Sequence, residues 1–359
     1  MPPPSSSATT SQTNRAGPTA AGPRPRRWGR RWCCPHGYAR TDRCPSTAPV
    51  ETLWGMSIEA DTWDSELSGV ARTARWTAAA RARETARPDR LFDDPFAALL
   101  AGADGDALLR HFHTERAAAD GNPVLPIRTR WFDDFLRGSV TPGCQVVGLG
   151  AGLDTRAYRL DWPAGVVVFE VDQAAVLDYK QQRLARVVNV ARCERRTVAT
   201  DFTGEWGPAL LDAGFDPAAR TVWFAEGLLF YLPAPLATAV ATQAAELSAV
   251  GSRIAVDLIG TGIFRLRYMR PFLDKLVEAG SPWRFGTDTP AEFLRQAGWA
   301  VEQVTEPGAA GTDYGRWPQG APPVAFPQLP RSYLVTAGRS AGGPGTTPDG
   351  AAAASDAHR

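Results

Sequence analysis

The 359-residue chain is 44% apolar and 21% charged, the balance of a protein that buries the core of one large domain or two small ones. Basic and acidic residues nearly cancel, 39 against 38, and the basic ones are almost all arginine, with Lys180 and Lys275 as the lysines. That balance implies no nucleic-acid or membrane partner, and no apolar run approaches the ~20 residues that cross a bilayer.

Residues 1–55 are rich in Pro, Ser, Thr, Ala and Arg without sustained periodicity, so they carry too little apolar surface to offset their ordering entropy. Cys33, Cys34 and Cys44 lie here beside His36. Zinc ligation by this set is conceivable, but adjacent cysteines lack the gap of a chelating knuckle, and five unevenly spaced cysteines do not make a disulfide framework. The reading is a disordered or over-extended segment with incidental cysteines and no metal site. Its basic start has no apolar stretch like that of a leader, so a cytoplasmic protein is expected.

The character changes at Met56, where the folded domain, 56–339, is expected to begin. Val70, Ala74, Ala78 and Ala82 recur at helical spacing, and 56–138 reads as a helical cap broken near Pro88, 104–106 and 121–123. Beyond it, 139–339 alternates strand and helix. Strands are expected over 144–149, 166–171, 196–200, 221–225 and 253–259, and helices over 173–188, 235–250 and 290–297. Two late strands, 299–304 and 333–337, follow without a helix between them. The pattern predicts an α/β fold, a doubly wound and mostly parallel sheet covered on both faces, with an antiparallel edge hairpin. A low-complexity tail, 340–359, closes the chain.

The first strand runs into Gly148-Leu-Gly150-Ala151-Gly152 and a helix start. At such a turn in a doubly wound sheet a ligand binds, and glycines let it approach the backbone. The spacing is G-x-G-x-G. The dinucleotide fingerprint G-x-G-x-x-G would need glycine at Leu153 or Thr155. About twenty residues on, the second strand ends in Asp172, a carboxylate placed to accept both ribose hydroxyls of a nucleoside, with Gln173 beside it. Asp172 could also cap the following helix. Glu170, two residues earlier on the same face, reads equally as a buried acid paired with an arginine. After the third strand, Asp201 could accept from an adenine amino group and Phe202 could flank the ring. Alone, Asp201 would read as a turn residue. After the fourth, Glu226 stands in an apolar run, where an acid needs a partner.

The strings GAGLDTRAYRL, FEVDQ, AEGLLFYLP and RTRWFDDFL, with VARTARWTAAARARETARPDRLFDDPFA upstream, resemble a family of S-adenosyl-L-methionine-dependent methyltransferases abundant in mycobacteria and related actinobacteria and related to the leucine carboxyl methyltransferases. The likeness runs from about Met56 to Arg339. It implies a class I methyltransferase (Rossmann-like) fold with a helical N-terminal cap and S-adenosyl-L-methionine as cofactor. It assigns Gly150, Ala151 and Gly152 to the glycine loop, Asp172 and Gln173 to the ribose side, and Asp201 and Phe202 to the adenine side. Glu226 belongs to the same cofactor set. The resemblance further implies an arginine ahead of the first strand that holds the cofactor carboxylate, Arg128 first and Arg130 second. Gly148 departs from the family, which has a bulkier aliphatic residue there, and should weaken the strand slightly.

Methyl transfer from a sulfonium needs alignment and a dry site more than covalent help. A carboxylate acceptor needs no base, whereas a hydroxyl does. No catalytic residue is identified: His36 and His358 lie in the tails, His111 and His113 read as solvated cap residues, and Tyr231 and Glu226 are near the site. The insertion 260–285 mixes Ile263, Phe264, Leu266, Tyr268, Met269 and Phe272 with Arg265, Arg267 and Arg270, so it could give an apolar wall with cations for a small-molecule methyl acceptor, oxygen being the expected nucleophile; equally, the aromatics could simply pack the insertion onto the sheet and leave the arginines solvated. An oxidoreductase on a nucleotide cofactor and a non-catalytic adenosyl-ligand sensor are the rival classes.

Overall fold

A computed structural model describes residues 70–112, 123–187, 191–318 and 330–340, all within the unit that runs from Ala60 to Arg359. The expectations for 1–55, including the cysteine–histidine set and the domain start at Met56, lie outside the described residues, as does the tail beyond 340. Five short strands succeed one another in the first part of the sheet domain. They are β1 (Gln145–Leu149), β2 (Val167–Asp172), β3 (Glu194–Ala199), β4 (Thr221–Ala225) and β5 (Arg253–Ile259). The last two are β6 (Ala300–Thr305) and β7 (Ser332–Gly338). They form one seven-stranded sheet in the order β3-β2-β1-β4-β5-β7-β6. β1 to β5 are parallel, and β7 runs antiparallel between β5 and β6. This is the expected doubly wound sheet with an antiparallel hairpin at its edge.

β1 and β4 are buried at every position because both sheet faces are covered. Alternate residues of β1 feed opposite cores: Val146 joins Phe132, Leu136 and Val222 on one face, and Val147 and Leu149 join Trp206, Trp223 and Trp299 on the other. Gly148 has a specific reason to be glycine. It lies opposite Phe224 in the β1–β4 register, and a Cβ there would sit 2.6 Å from the ring's Cζ. The aromatic neighbour fills the volume that an aliphatic side chain at 148 would take, so the expected simple weakening of the strand is corrected to a swap of bulk across strands.

The cap comprises α1 (Val70–Thr85), α2 (Ala97–Ala101), α3 (Gly105–Phe112) and α4 (Val124–Ser139); α1 packs on α2 and α3, and α4 lies against β4 and β5. Further helices are α5 (Arg156–Arg159), α6 (Ala174–Leu184), α7 (Gly207–Asp212), α8 (Ala234–Glu246), α9 (Arg270–Glu278) and α10 (Pro290–Gln296). α5 and α7 escape sequence periodicity because they are one to two turns long. α6 stops before the expected 188, and Val187 beyond it is 60% exposed, so no apolar face continues. β3 starts two residues before the expected 196, because its exposed edge carries charged side chains that hide a strand pattern. No helix among the described residues is long and apolar enough to cross a membrane.

The connections fix where a ligand can sit. From β1 the chain winds outward through β2 to β3, then returns to β4 on the other side of β1 and winds outward again to β5. The crevice at the carboxyl ends of β1 and β4 is therefore the topological switch point.

Candidate functional site

A cavity of about 1360 Å³ opens at that edge. All nine residues expected to hold a cofactor line it: Arg128, Gly150, Ala151, Gly152, Asp172, Gln173, Asp201, Phe202 and Glu226. They come from α4, from the turn after β1, and from the tips of β2, β3 and β4, so 98 residues of sequence separate the first from the last but the sheet collects them.

The glycine turn is built by backbone conformation. Gly150 (φ +64°) and Gly152 (φ +49°) occupy the left-handed region that L side chains rarely adopt. A Cβ on Gly150 would meet Leu228 at 2.8 Å, whereas one on Gly152 would find nothing nearer than 3.8 Å and stand in the cavity. The Ala151 N–H donates to the Val171 carbonyl at 3.1 Å, tying the turn to β2. The Gly152 N–H donates to Asp172 Oδ2 at 2.6 Å, and the Gln173 N–H donates to Asp172 Oδ1 at 2.7 Å. Burial pushes the Asp172 carboxyl above its ordinary pKa, with those two amides opposing the shift. The helix-capping expectation is adjusted: the N-cap position of α6 is Gln173, which makes no side-chain cap bond. Glu170 resolves to its alternative reading. It is buried between Lys180 Nζ and Arg195 Nη2, each at 2.7 Å.

On the far side of the turn, Asp201 is exposed and accepts the Thr203 N–H at 3.0 Å, and its hydrogen bonds from Thr203 hold its pKa down. Phe202 is buried, edge-on to Trp206 with ring centroids 6.1 Å apart.

The floor of the cavity is a charge network that the sequence only hinted at. Glu226 accepts from Arg128 Nε at 3.0 Å and pairs with Arg156 Nη1 at 2.8 Å. Arg128 Nη1 donates to Asp257 Oδ2 at 3.0 Å, and the Gly227 N–H donates to Asp257 Oδ1 at 2.7 Å. Arg156 continues to Asp133 at 2.7 Å and to Asp154, its guanidinium 5.8 and 5.6 Å from the ring centres of Phe132 and Phe224. Arg159 closes on Asp133 at 2.6 Å. Burial would raise the Glu226 carboxyl, but Arg156 and Arg128 outweigh it and the pKa falls; at Asp257 burial wins and the pKa rises. Arg128 thus stands at the cavity as expected, with two of its nitrogens already spent on acids. Arg130, the second candidate, turns to Asp134 and the Leu91 carbonyl, away from the cavity lining.

Asp257 was missed, although an acid inside the apolar strand RIAVDLI was a readable sign of a buried partner. Arg156 and Asp154 stood inside the motif string without an assigned role. The insertion 260–285 supplies two 3₁₀ turns and α9. Its Ile263, Tyr268, Met269 and Phe272 line the cavity, whereas Phe264, which is exposed, and Leu266 do not, so the expected apolar wall is there in part. The expected cations are not: Arg265, Arg267 and Arg270 are exposed and outside the lining, the solvated reading of the two. Lys275 on α9 lines the cavity instead. His111 is exposed and outside the lining, and its carbonyl accepts from Lys275 Nζ at 2.6 Å; His36, His113 and His358 lie outside the described residues.

Comparison with known proteins agrees with this geometry. The profile of the leucine carboxyl methyltransferase family matches residues 74–245. A protein of Mycolicibacterium smegmatis, named as a candidate S-adenosyl-L-methionine-dependent methyltransferase, is 41% identical over 68% of this chain and 87% of its own length. One of Parafrankia, named likewise, is 40% identical over 77% of this chain and 89% of its own. A solved protein of the duf574 family from Streptomyces avermitilis shares the fold at a TM-score of 0.51 and 16% identity, covering 77% of this chain and 99% of that one. With 40% identity sustained across nearly the whole length of such relatives, the chain belongs to the S-adenosyl-L-methionine-dependent methyltransferases of the leucine carboxyl methyltransferase family.

Proposed function

We propose that this protein methylates an oxygen atom of a small apolar molecule, a carboxylate in preference to a hydroxyl, and that the nine cavity-lining residues named above hold the cofactor. One observation carries the cofactor reading: a strained glycine turn whose Gly152 amide is clasped by the buried Asp172 carboxylate at the switch point of the sheet. The residues fit an adenosyl group there. A Cβ at Gly152 would occupy the space the group needs, and Asp172 retains lone pairs for ribose hydroxyls beyond its two amide bonds. Asp201 and Phe202 stand where an adenine edge and face would meet them.

Bound S-adenosyl-L-methionine supplies a methyl carbon on a sulfonium that leaves as a neutral thioether. The chain's part is charge, alignment and dryness. Asp133, Asp154, Glu226 and Asp257 face Arg128, Arg156 and Arg159, four carboxylates against three guanidiniums. Arg137 approaches Asp133 at 3.9 Å as a fourth guanidinium, so with all eight ionised the network is neutral and would meet the cofactor's charges through individual groups at the cavity rather than through a net field. Arg128 keeps Nη2 for an amino-acid carboxylate. Trp76, Phe230 and Trp283 give the cavity apolar walls, and a guest buried against them would displace water and strengthen each of these interactions.

The choice of acceptor turns on the candidate bases among the described residues that line the cavity. Glu226 is held ionised by two arginines and is a weak base. Tyr231 is pushed above the ordinary phenol pKa chiefly by burial, so it stays protonated near neutral pH. Neither of these two is tuned to deprotonate a hydroxyl; Asp172 and Asp257, whose carboxyls burial pushes up, are engaged by backbone amides and Arg128, and a carboxylate acceptor needs no deprotonation. The near-neutral charge of the chain gives no support to a nucleic-acid substrate, and we place the protein in the cytoplasm.

Calorimetry with S-adenosylhomocysteine and NADH tests the cofactor. Binding of the first and not the second is expected; the reverse would install the oxidoreductase reading. Labelled cofactor with cell extract, followed by mild alkali, tests the acceptor. Base-labile label in small molecules supports a methyl ester. Label in nucleic acid, or alkali-stable label on protein nitrogen, overturns the proposal, and cofactor binding without any turnover favours the sensor.

A further inference from the structure

Part of the cavity wall is made of aromatic rings in unbroken contact. Phe112 meets Trp76 with centroids 5.1 Å apart, Trp76 meets Phe272 at 6.0 Å, and Phe272 meets Trp283 at 5.1 Å. Trp283 meets Phe230 at 4.7 Å, and Phe230 meets Tyr231 at 5.0 Å. All six line the cavity. They come from the cap (α1 and α3), from the 3₁₀ turn Leu229–Tyr231 after β4, and from the insertion after β5, so three separate parts of the chain contribute rings to one surface. Their planes are inclined to one another by 33° to 75°, so the ring surface is not a flat stack.

We infer that this surface is the acceptor subsite and that it selects a planar aromatic carboxylic acid over an aliphatic one of equal size. The inference rests on the methyltransferase reading above and deepens it by naming the substrate class. An aliphatic guest needs only apolar walls, which leucines supply. Inclined rings offer a flat guest edge-to-face and offset contacts that a saturated guest of the same outline cannot make. Each such contact multiplies the binding constant by roughly 2 to 12 beyond area burial. The charge around the rings fits an anion. Every acid in the cavity lining, namely Asp154, Asp172, Asp201, Glu226 and Asp257, lies in the glycine loop, on a strand or in a strand-end turn. The parts that supply the rings add the cations Arg81, which is paired with Asp94, Arg110 and Lys275 to the lining and no acid. A volume of about 1360 Å³ exceeds the roughly 300–1,000 Å³ of a single-ligand site, so it has room for cofactor and acceptor together.

The test uses the full-length protein saturated with S-adenosylhomocysteine, titrated by calorimetry with 2-naphthoate and with decahydro-2-naphthoate, which share outline and charge. Naphthoate is expected to bind at least about tenfold more tightly. In Trp283→Leu that ratio is expected to fall by a factor of roughly 2 to 12 per lost contact, with melting temperature and S-adenosylhomocysteine affinity kept as checks on folding. Lys275→Met is expected to weaken both acids equally and leave the ratio. Equal affinity for the two acids, binding of neither, or a ratio unmoved in both Trp283→Leu and Phe272→Leu would overturn the inference while leaving cofactor binding intact. Failure of S-adenosylhomocysteine to bind, with the aromatic preference kept, would instead sink the methyltransferase reading and leave the aromatic selectivity standing.

Discussion

The two acids of β2, two residues apart on one strand face, should fail in different ways when removed. Asp172 receives its hydrogen bonds from the Gly152 and Gln173 amides at 2.6 and 2.7 Å and faces the cavity. Glu170 is sealed between Lys180, whose side chain is 0% exposed, and Arg195. Replacing Asp172 by alanine removes a charged acceptor for the ribose and loosens the glycine turn. A hydrogen bond to a charged group contributes about 1.5–3 kcal/mol, so the affinity for S-adenosylhomocysteine should fall roughly tenfold to a hundredfold. Replacing Glu170 by alanine leaves a buried lysine facing an arginine. Breaking a buried pair costs about 3–5 kcal/mol. Burial already lowers the pKa of Lys180, so proton loss softens the cost toward the lower end. About 3 kcal/mol corresponds to a melting temperature lower by roughly 6–12 °C for a domain of this size. Calorimetry and thermal melts on both variants separate the outcomes. If Glu170→Ala weakens cofactor binding more than Asp172→Ala with its melt unchanged, the acid assigned to the ribose is the wrong one.

Two further expectations follow from the packing. Gly148→Ala should destabilise the domain by about 1–3 kcal/mol, because its Cβ falls on the Phe224 ring, and Phe224→Leu should recover part of that loss in the double variant; additive losses in the melts would refute the clash. Asp133 is held down to about pKa 2: burial alone would raise it, but Arg156 and Arg159 outweigh burial. Because the folded pKa lies below the ordinary 3.8, the stabilisation, about 2 kcal/mol, is complete above pH ~4 and is lost as pH falls through about 2. Asp133→Asn should flatten the stability profile across that window as followed by urea unfolding, and an unchanged profile would show that the pair is not the titrating element.

The fold was legible because its strands are short apolar runs set between turn residues, and a buried parallel strand needs no more than that. The departures have local causes. Helices of one or two turns carry no period to read. β3 lies at the sheet edge, where Arg195 and Arg196 reach back to Glu170 and Glu194 and give a strand the composition of a loop. Gly148 looked like a defect because the residue that explains it, Phe224, is 76 positions away and becomes its neighbour only through the β1–β4 pairing.

The site divides along the same line. Its adenosyl half is local in sequence: a turn, a strand tip and a second strand tip, each announced by glycine or an acid where an apolar run ends. Its floor is not. Arg128 and Asp133 sit on α4, Asp154 and Arg156 after β1, Glu226 after β4 and Asp257 on β5, and no spacing in the sequence says which of them pair until the sheet closes. What marks such residues in advance is context rather than spacing. An acid within a strand that must be buried on both faces, as Asp257 is in RIAVDLI, cannot be there without a cation, and the arginines of the cap are the cations within reach. The cap is thereby tied to the sheet through charges as well as apolar packing. Movement of α4 would take Arg128 from Asp257 and Glu226 together and leave Glu226 with Arg156 alone, so the helix that shapes the floor of the cavity also helps keep its acids paired.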